Sequence, residues 1–267
     1  MRKRRLIALL LVAAAAVVAI IYFLPPREPV YAGERLSYWL KGYDPIEGSE
    51  PGRQKADEIM REAGTNAIPT LLRMLREQDS PLKLRLIALA RKQRFITIRH
   101  VGAGGRNIQA MRAFEQLGGE GKVAVPELIE IYEMNSSPWS QEVVAGVFFW
   151  IGPPARQAVP SLLRCITSTN AGVRSGAVNA LGRIHAEPKE VVPALVVCLH
   201  DPDHDIRKFA ASALGEFGPE AKEAVPALIE ILRREEEYIS PGASAALQKI
   251  DPETAAKVIA ENQQAVK

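Results

Sequence analysis

Apolar residues recur along most of this chain at intervals of three and four, and the pattern itself repeats. Met60, Phe114, Phe148, Leu181, Leu214 and Leu247 form one column; three residues later stand Ala63, Leu117, Ile151, Ile184, Phe217 and Ile250. Such spacing places both columns on one helical face, so six amphipathic helices are predicted. Gly64, Gly118, Gly152 and Gly218 follow them where a left-handed αL residue is expected, with His185 and Asp251 as the exceptions. A second helix comes after each. In five of the six it is opened by proline: Ile68-Pro69, Val125-Pro126, Val159-Pro160, Val192-Pro193 and Val225-Pro226. Proline suits a first helical turn because its missing N–H would have had no partner there. The sixth unit has Val258-Ile259 at that place and the polar residues Glu261, Asn262, Gln263 and Gln264 beyond it, which reads as a capping half-repeat.

Leu181, Leu214 and Leu247 stand 33 residues apart, as do Pro160, Pro193 and Pro226. A fixed period of this size signals stacked supersecondary units, each unable to bury its apolar face alone. The phrases Asp203-His204-Asp205-Ile206-Arg207, Ala213-Leu214-Gly215 and Val225-Pro226-Ala227-Leu228, echoed by Asn170, Val173-Arg174 and Ala180-Leu181-Gly182, resemble the HEAT repeat in its short bacterial form, similar to phycobilisome-lyase HEAT-like units. The resemblance covers roughly residues 53–264 and is strongest after 140. It implies an all-α, right-handed α-solenoid of about six helical hairpins, with the proline-started helices on the concave wall. Positions one, four and seven after each proline then face outward. They give Thr70, Arg73, Arg76, Glu127, Glu130, Glu133, Ser161, Arg164, Thr167, Ala194, Val197, His200, Ala227, Glu230 and Arg233. A mixed-charge stripe with a softer middle suits an unidentified protein or peptide partner better than nucleic acid.

The N-terminus differs from the repeats. Arg2-Lys3-Arg4-Arg5 precedes an uncharged apolar run from Leu6 to Leu24. At 1.5 Å per residue this run spans about 29 Å, the thickness of a bilayer core. Its small residues, Ala13 to Ala16, lie mid-run rather than at the end, which favours an uncleaved anchor over a removed signal peptide. Basic residues ahead of it place the tail in the cytoplasm and the solenoid outside, the periplasmic side of the inner membrane in a bacterium. Residues 1–24 are thus read as tail and transmembrane anchor. Residues 25–52 are read as a Pro-rich linker with a short amphipathic helix, and 53–264 as the solenoid. Cys165 and Cys198, one repeat apart, fall in a core column. Helices of successive units lie about 8–10 Å apart, too far for a bridge, so two core thiols are expected.

Prolines 69 and 126 are 57 apart, so an insertion at about 79–107 interrupts the period. From Ser80 to Phe114 there are eight Lys or Arg and no acid. Without these and the tail cations, 22 bases face 31 acids, so the near-neutral total hides a segregated charge. Arg91, Lys92, Arg94, Arg99 and Arg106 form a candidate site for an anionic ligand, with neutralisation of neighbouring acidic helices as the alternative. A helix is expected to about Gln93, an extended stretch over Phe95 to Ile98, and a flexible loop at Gly102-Ala103-Gly104-Gly105. Trp150 falls in a column otherwise held by polar residues; with Phe149 and Trp139 it forms either an aromatic patch for a partner or a surface covered by the insertion or by Leu36–Leu40. His200 and His204 stand four apart, but Pro202 breaks the helix that would align them and Asp203 is placed to cap the next one. HEAT-like enzymes of the deoxyhypusine hydroxylase kind carry His-Glu pairs, and none of the four histidines here is followed by Glu. No catalytic set, cofactor or metal is therefore assigned. The expected role is a membrane-anchored, non-catalytic interaction scaffold, with a HEAT-like enzyme or accessory lyase that cradles its substrate as the alternative.

Overall fold

In a computed structural model the structure is described for residues 28–46, 48–81, 84–85, 88–89, 102–233 and 240–265. The anchor at 6–24 and the greater part of the basic insertion lie outside these residues. The N-terminal part begins with a hairpin of β1 (Val30–Tyr31) and β2 (Glu34–Arg35) and the short helix α1 (Leu36–Trp39). Six helical hairpins follow: α2 (Glu50–Ala63) with α3 (Ile68–Arg76), α4 (Ala103–Leu117) with α5 (Val125–Glu133), and α6 (Pro138–Ile151) with α7 (Val159–Cys165) come first. Then come α8 (Ala171–Ile184) with α9 (Pro188–Cys198), α10 (His204–Phe217) with α11 (Val225–Arg233), and α12 (Ser240–Ile250) with α13 (Pro252–Ala265). Both apolar columns are buried in every hairpin, and one core cluster runs from Leu36 to Ile250.

Local chemistry explains where the helices start. Ser49, Ser137, Asn170 and Asp203 cap the first helices of their hairpins, each accepting a backbone N–H of the first turn. Pro69, Pro126, Pro160 and Pro226 each stand second in their helices. Pro193 does not open its helix. It lies inside α9, whose first turn is started by Pro188. Asp251, which ends α12 in place of a glycine, also caps the next helix: its N–H donates to the Leu247 carbonyl at 2.8 Å, and its carboxylate accepts the Thr254 N–H and hydroxyl at the start of α13.

The glycines after the first helices depart from the αL expectation. Gly64, Gly118, Gly152 and Gly218 have φ of 50, 49, 69 and 52° but ψ of −137, −130, −141 and −134°. A Cβ is barely tolerated at such angles. The chain leaves each of these glycines through a short 3-10 turn into the second helix. His185 does take αL, with φ 49° and ψ 52°, as a non-glycine can, and its hairpin has a different connection with Glu187 also at positive φ. Gly218→Ala is accordingly expected to cost about 1–3 kcal/mol from backbone strain alone. Urea denaturation checks this, and an unchanged midpoint would refute the strain.

The segment expected to be a linker is part of the folded body. Leu36 and Leu40 are fully buried, and the turn Leu40–Tyr43 packs against both α2 and α4. Trp39 Nε1 donates to the Tyr31 carbonyl at 2.8 Å, Tyr43 donates to Asp57 at 2.7 Å, and buried Gln109 of α4 donates to Asp44 at 3.2 Å. Alternation of polar and apolar residues over so short a stretch does not distinguish a linker from a cap whose partners lie distant in sequence.

The end of the insertion is also ordered differently. Gly102-Ala103-Gly104-Gly105 enters α4, whose Ala103 N–H donates to Asp79 at 2.6 Å. These glycines allow close packing: a Cβ on Gly102 would fall 2.9 Å from the Asp79 carboxylate and one on Gly104 3.3 Å from Trp139 Nε1. Residues 103–107 therefore belong to the second hairpin. Arg85 is among the described residues, whereas the helix expected to Gln93 and the extended stretch at 95–98 lie largely or wholly outside them.

Candidate functional site

The two helical layers differ in how closely they pack. First helices of successive hairpins are in extensive contact, α8 with α6 and α10 above all, whereas second helices touch one another sparsely. Creases therefore open between repeats on the second-helix face, where the predicted stripe lies. Positions four and seven after each proline are exposed or half-exposed from Arg73 to Arg233. Position one is mixed: Glu127 is exposed, but Thr70 and Ser161 are buried, contrary to expectation.

Much of the stripe is tied into pairs between repeats. Arg73 pairs with Glu28 and, at 3.2 Å, with Glu77; Glu28 also accepts the Ser37 N–H. Arg76 meets Glu127 at 2.9 Å and Glu130 at 3.9 Å. Glu133 accepts from the Ser161 hydroxyl at 2.5 Å and pairs with Arg164, and these contacts, the hydroxyl first, hold its carboxyl below the usual range. Arg233 meets Glu261 at 3.4 Å. In these rungs the residue seven after one proline reaches toward the next hairpin. Exposed ion pairs of this kind contribute about 0–1 kcal/mol each, so they set the pattern of the face more than its stability.

One rung is apolar. Thr167 and Val197 stand where a pair would otherwise form, and Val197 is 70% exposed. A cleft of about 320 Å³ lies to one side, lined by Tyr132, Glu133, Asn135, Gln141, Ser161, Arg164 and Cys165. Another of about 330 Å³ lies to the other side, with His200, Glu230 and Ile231 in its lining. The Tyr132 hydroxyl is buried against the Cys165 thiol. Burial, and then the neighbouring Cys165 thiol, push its pKa far upward. Both cysteines are free thiols, but only Cys198 has the core position expected; Cys165 is half-buried in the cleft wall. Burial, followed by the Asp201 carboxylate, raises the Cys198 thiol to about 11.

The His200–Asp205 segment is held by its own hydrogen bonds. Asp201 takes a two-pronged contact from Arg174, Nε at 2.8 Å and Nη2 at 2.9 Å, and Arg207 Nη1 donates to the Asp201 carbonyl at 2.9 Å. Asp203, His204 and Asp205 have ligand atoms within 4.8 Å of one another, but Asp203 already caps α10 and His200 is not in the set. A metal there would have to compete with that cap.

The aromatic residues do not form one patch. Trp139 begins α6 and is 43% exposed, beside Gly104; Phe149 and Trp150 end the same helix, about 15 Å away at 1.5 Å per residue. Phe149 and Trp150 are half-buried and meet edge to face at 5.1 Å, with the Arg183 guanidinium over Phe149 at 5.8 Å. The Leu36–Leu40 segment packs on α2 rather than over this end of α6. Arg106, in the first turn of α4, pairs with Glu77 and lies 3.7 Å from Asp79. Its charge is therefore engaged within the fold. Arg91, Lys92, Arg94 and Arg99 lie outside the described residues.

A family model described as HEAT repeats matches residues 125–206 and 192–264, which together make up just over half of the chain. The chain belongs to the HEAT-repeat family. Among solved structures, this HEAT-repeat chain is similar to an engineered protein at 19% identity and a TM-score of 0.50, over 81% of this chain and 96% of that one. It is also similar to a designed armadillo repeat protein in complex with the peptide (KR)4, at 15% identity and a TM-score of 0.50, over 81% and 99%. At these identities the likeness concerns the fold alone. No curated protein sequence matches.

Proposed function

We propose that this HEAT-repeat protein is a non-catalytic scaffold that binds a protein partner on its second-helix face and is tethered to a membrane by residues 6–24. The observation that carries the reading is the continuous run of outward side chains at positions four and seven of five successive second helices, interrupted by exposed Val197. Stacked hairpins offer an extended surface of this kind by construction. The designed armadillo protein, of similar fold, is in complex with a peptide, which is consistent with such use. Among the described residues no helix is long and apolar enough to cross a membrane, so the tether rests on the Leu6–Leu24 run. Glu28 is docked on Arg73, so only residues 25–27 separate that run from the folded body, and the first hairpin is held close to the bilayer.

Proximity labelling from the full-length chain tests the reading. A defined set of neighbours is expected, and Arg164→Glu, Val197→Glu and Glu230→Lys together should remove it, whereas charge changes at exposed Lys55 and Glu58 should not. An unchanged set in the triple variant would refute the second-helix face as the binding surface.

A further inference from the structure

Two irregular rungs on the second-helix face differ in chemistry. At the first, Glu127 and Glu130 share, among the described residues, the single cation Arg76, and the Glu130 side chain, the farther at 3.9 Å, is 71% exposed. This leaves a surplus negative charge. The next rung, Glu133 with Arg164, is balanced. The one after that is uncharged and presents Val197. Glu130 and Val197 occupy equivalent positions two repeats apart, about 20 Å at the spacing of packed helices. The path between them crosses the 320 Å³ cleft, whose lining includes Tyr132.

We infer that this face takes an extended peptide carrying a Lys or Arg side chain against Glu130 and an aliphatic side chain on Val197. An extended chain advances about 3.3 Å per residue, so the two anchors lie about six residues apart. Alternate residues of such a chain face the same way, which lets both anchors point toward the helices. The inference rests on the proposed scaffold role and names its ligand.

A random peptide library displayed on phage, panned against the full-length chain in detergent micelles, provides the test. Enriched sequences are expected to share a basic and an aliphatic residue about six positions apart. A synthetic peptide of the enriched sequence should bind at least about tenfold more weakly to Glu130→Lys and to Val197→Glu. Replacing its basic residue by Glu should restore affinity for Glu130→Lys. Val123→Glu, exposed but off this face, should leave binding unchanged. Absence of enrichment, enrichment without the spacing, or affinity indifferent to both Glu130→Lys and Val197→Glu would overturn the inference. If peptides fail while the labelled set is still lost in the triple variant, the scaffold role stands and the extended-peptide ligand falls.

Discussion

Gly182→Val is expected to uncouple the fourth and fifth hairpins and to lower stability by about 3 kcal/mol. A Cβ at position 182 would lie 2.5 Å from the Ala213 Cβ and 2.8 Å from its Cα. The second contact is backbone, so no rotamer change relieves it. The same arrangement recurs one repeat later, where a Cβ on Gly215 would stand 3.0 Å from the Ala246 Cα. The Ala-Leu-Gly phrase thus has a packing cause: the glycine of one first helix receives the alanine of the next, which lets these helices approach closely. Glycine inside a helix costs about 1 kcal/mol relative to alanine, so even Gly182→Ala gains propensity while losing fit. Overlap of this depth outweighs the gain. Gly242→Ala is the contrast, since among the described residues its Cβ would meet only the Lys208 carbonyl at 4.0 Å, and it is expected to stabilise by up to about 1 kcal/mol. Urea denaturation separates the two outcomes, and hydrogen exchange in Gly182→Val should show α10 to α13 losing protection first. A midpoint equal to that of the native chain would refute the packing argument.

What could be read from the sequence follows from how far each signal reaches. The six first helices, their buried columns and the Asp203 cap were legible because each depends on residues within two or three turns. The glycine positions were legible too, but their angles were not: αL and the observed region both require positive φ, and only the chain path into the 3-10 turn selects between them. The N-terminal cap was misjudged as a linker because its burial depends on α2 and α4, far from Leu36 in sequence. The stripe follows from helical periodicity on the wall that the HEAT resemblance implies, whereas its pairing does not. That Arg76 reaches Glu127 and Glu133 reaches Arg164 depends on the offset between hairpins, which periodicity leaves open. The cleft beside Tyr132 had no signal in the sequence, because its lining comes from α5, α6 and α7 and depends on how those helices meet.

Asp201→Ala is expected to cost about 3 kcal/mol, more than any other single carboxylate pair described, because it leaves Arg174 unpaired in a poorly hydrated place. The side chains of Arg174 and Asp201 are 13% and 9% exposed, unlike the exposed pairs of the stripe. Arg174 also donates to the Ser168 carbonyl at 2.8 Å, and Asp201 accepts the Asp203 N–H at 2.9 Å, so the pair fixes the turn before α8 and the turn after α9. Removing both charges by Arg174→Leu with Asp201→Asn should cost less than the single change, since no uncompensated ion remains. The pH dependence gives an independent check. Burial acts to raise the Asp201 carboxyl, but the Arg174 hydrogen bonds, the Asp203 N–H and the charges of Arg174 and Arg207 outweigh it and hold it below its ordinary value. A carboxylate depressed in the folded state contributes its stability above the unfolded value of about 3.9 and loses it as pH falls through the folded one. The native chain and Asp201→Ala should therefore differ fully at neutral pH and converge below about pH 4. Denaturation curves across that range decide the matter, and a difference that persists unchanged in acid would assign the loss to packing of the turn rather than to the pair.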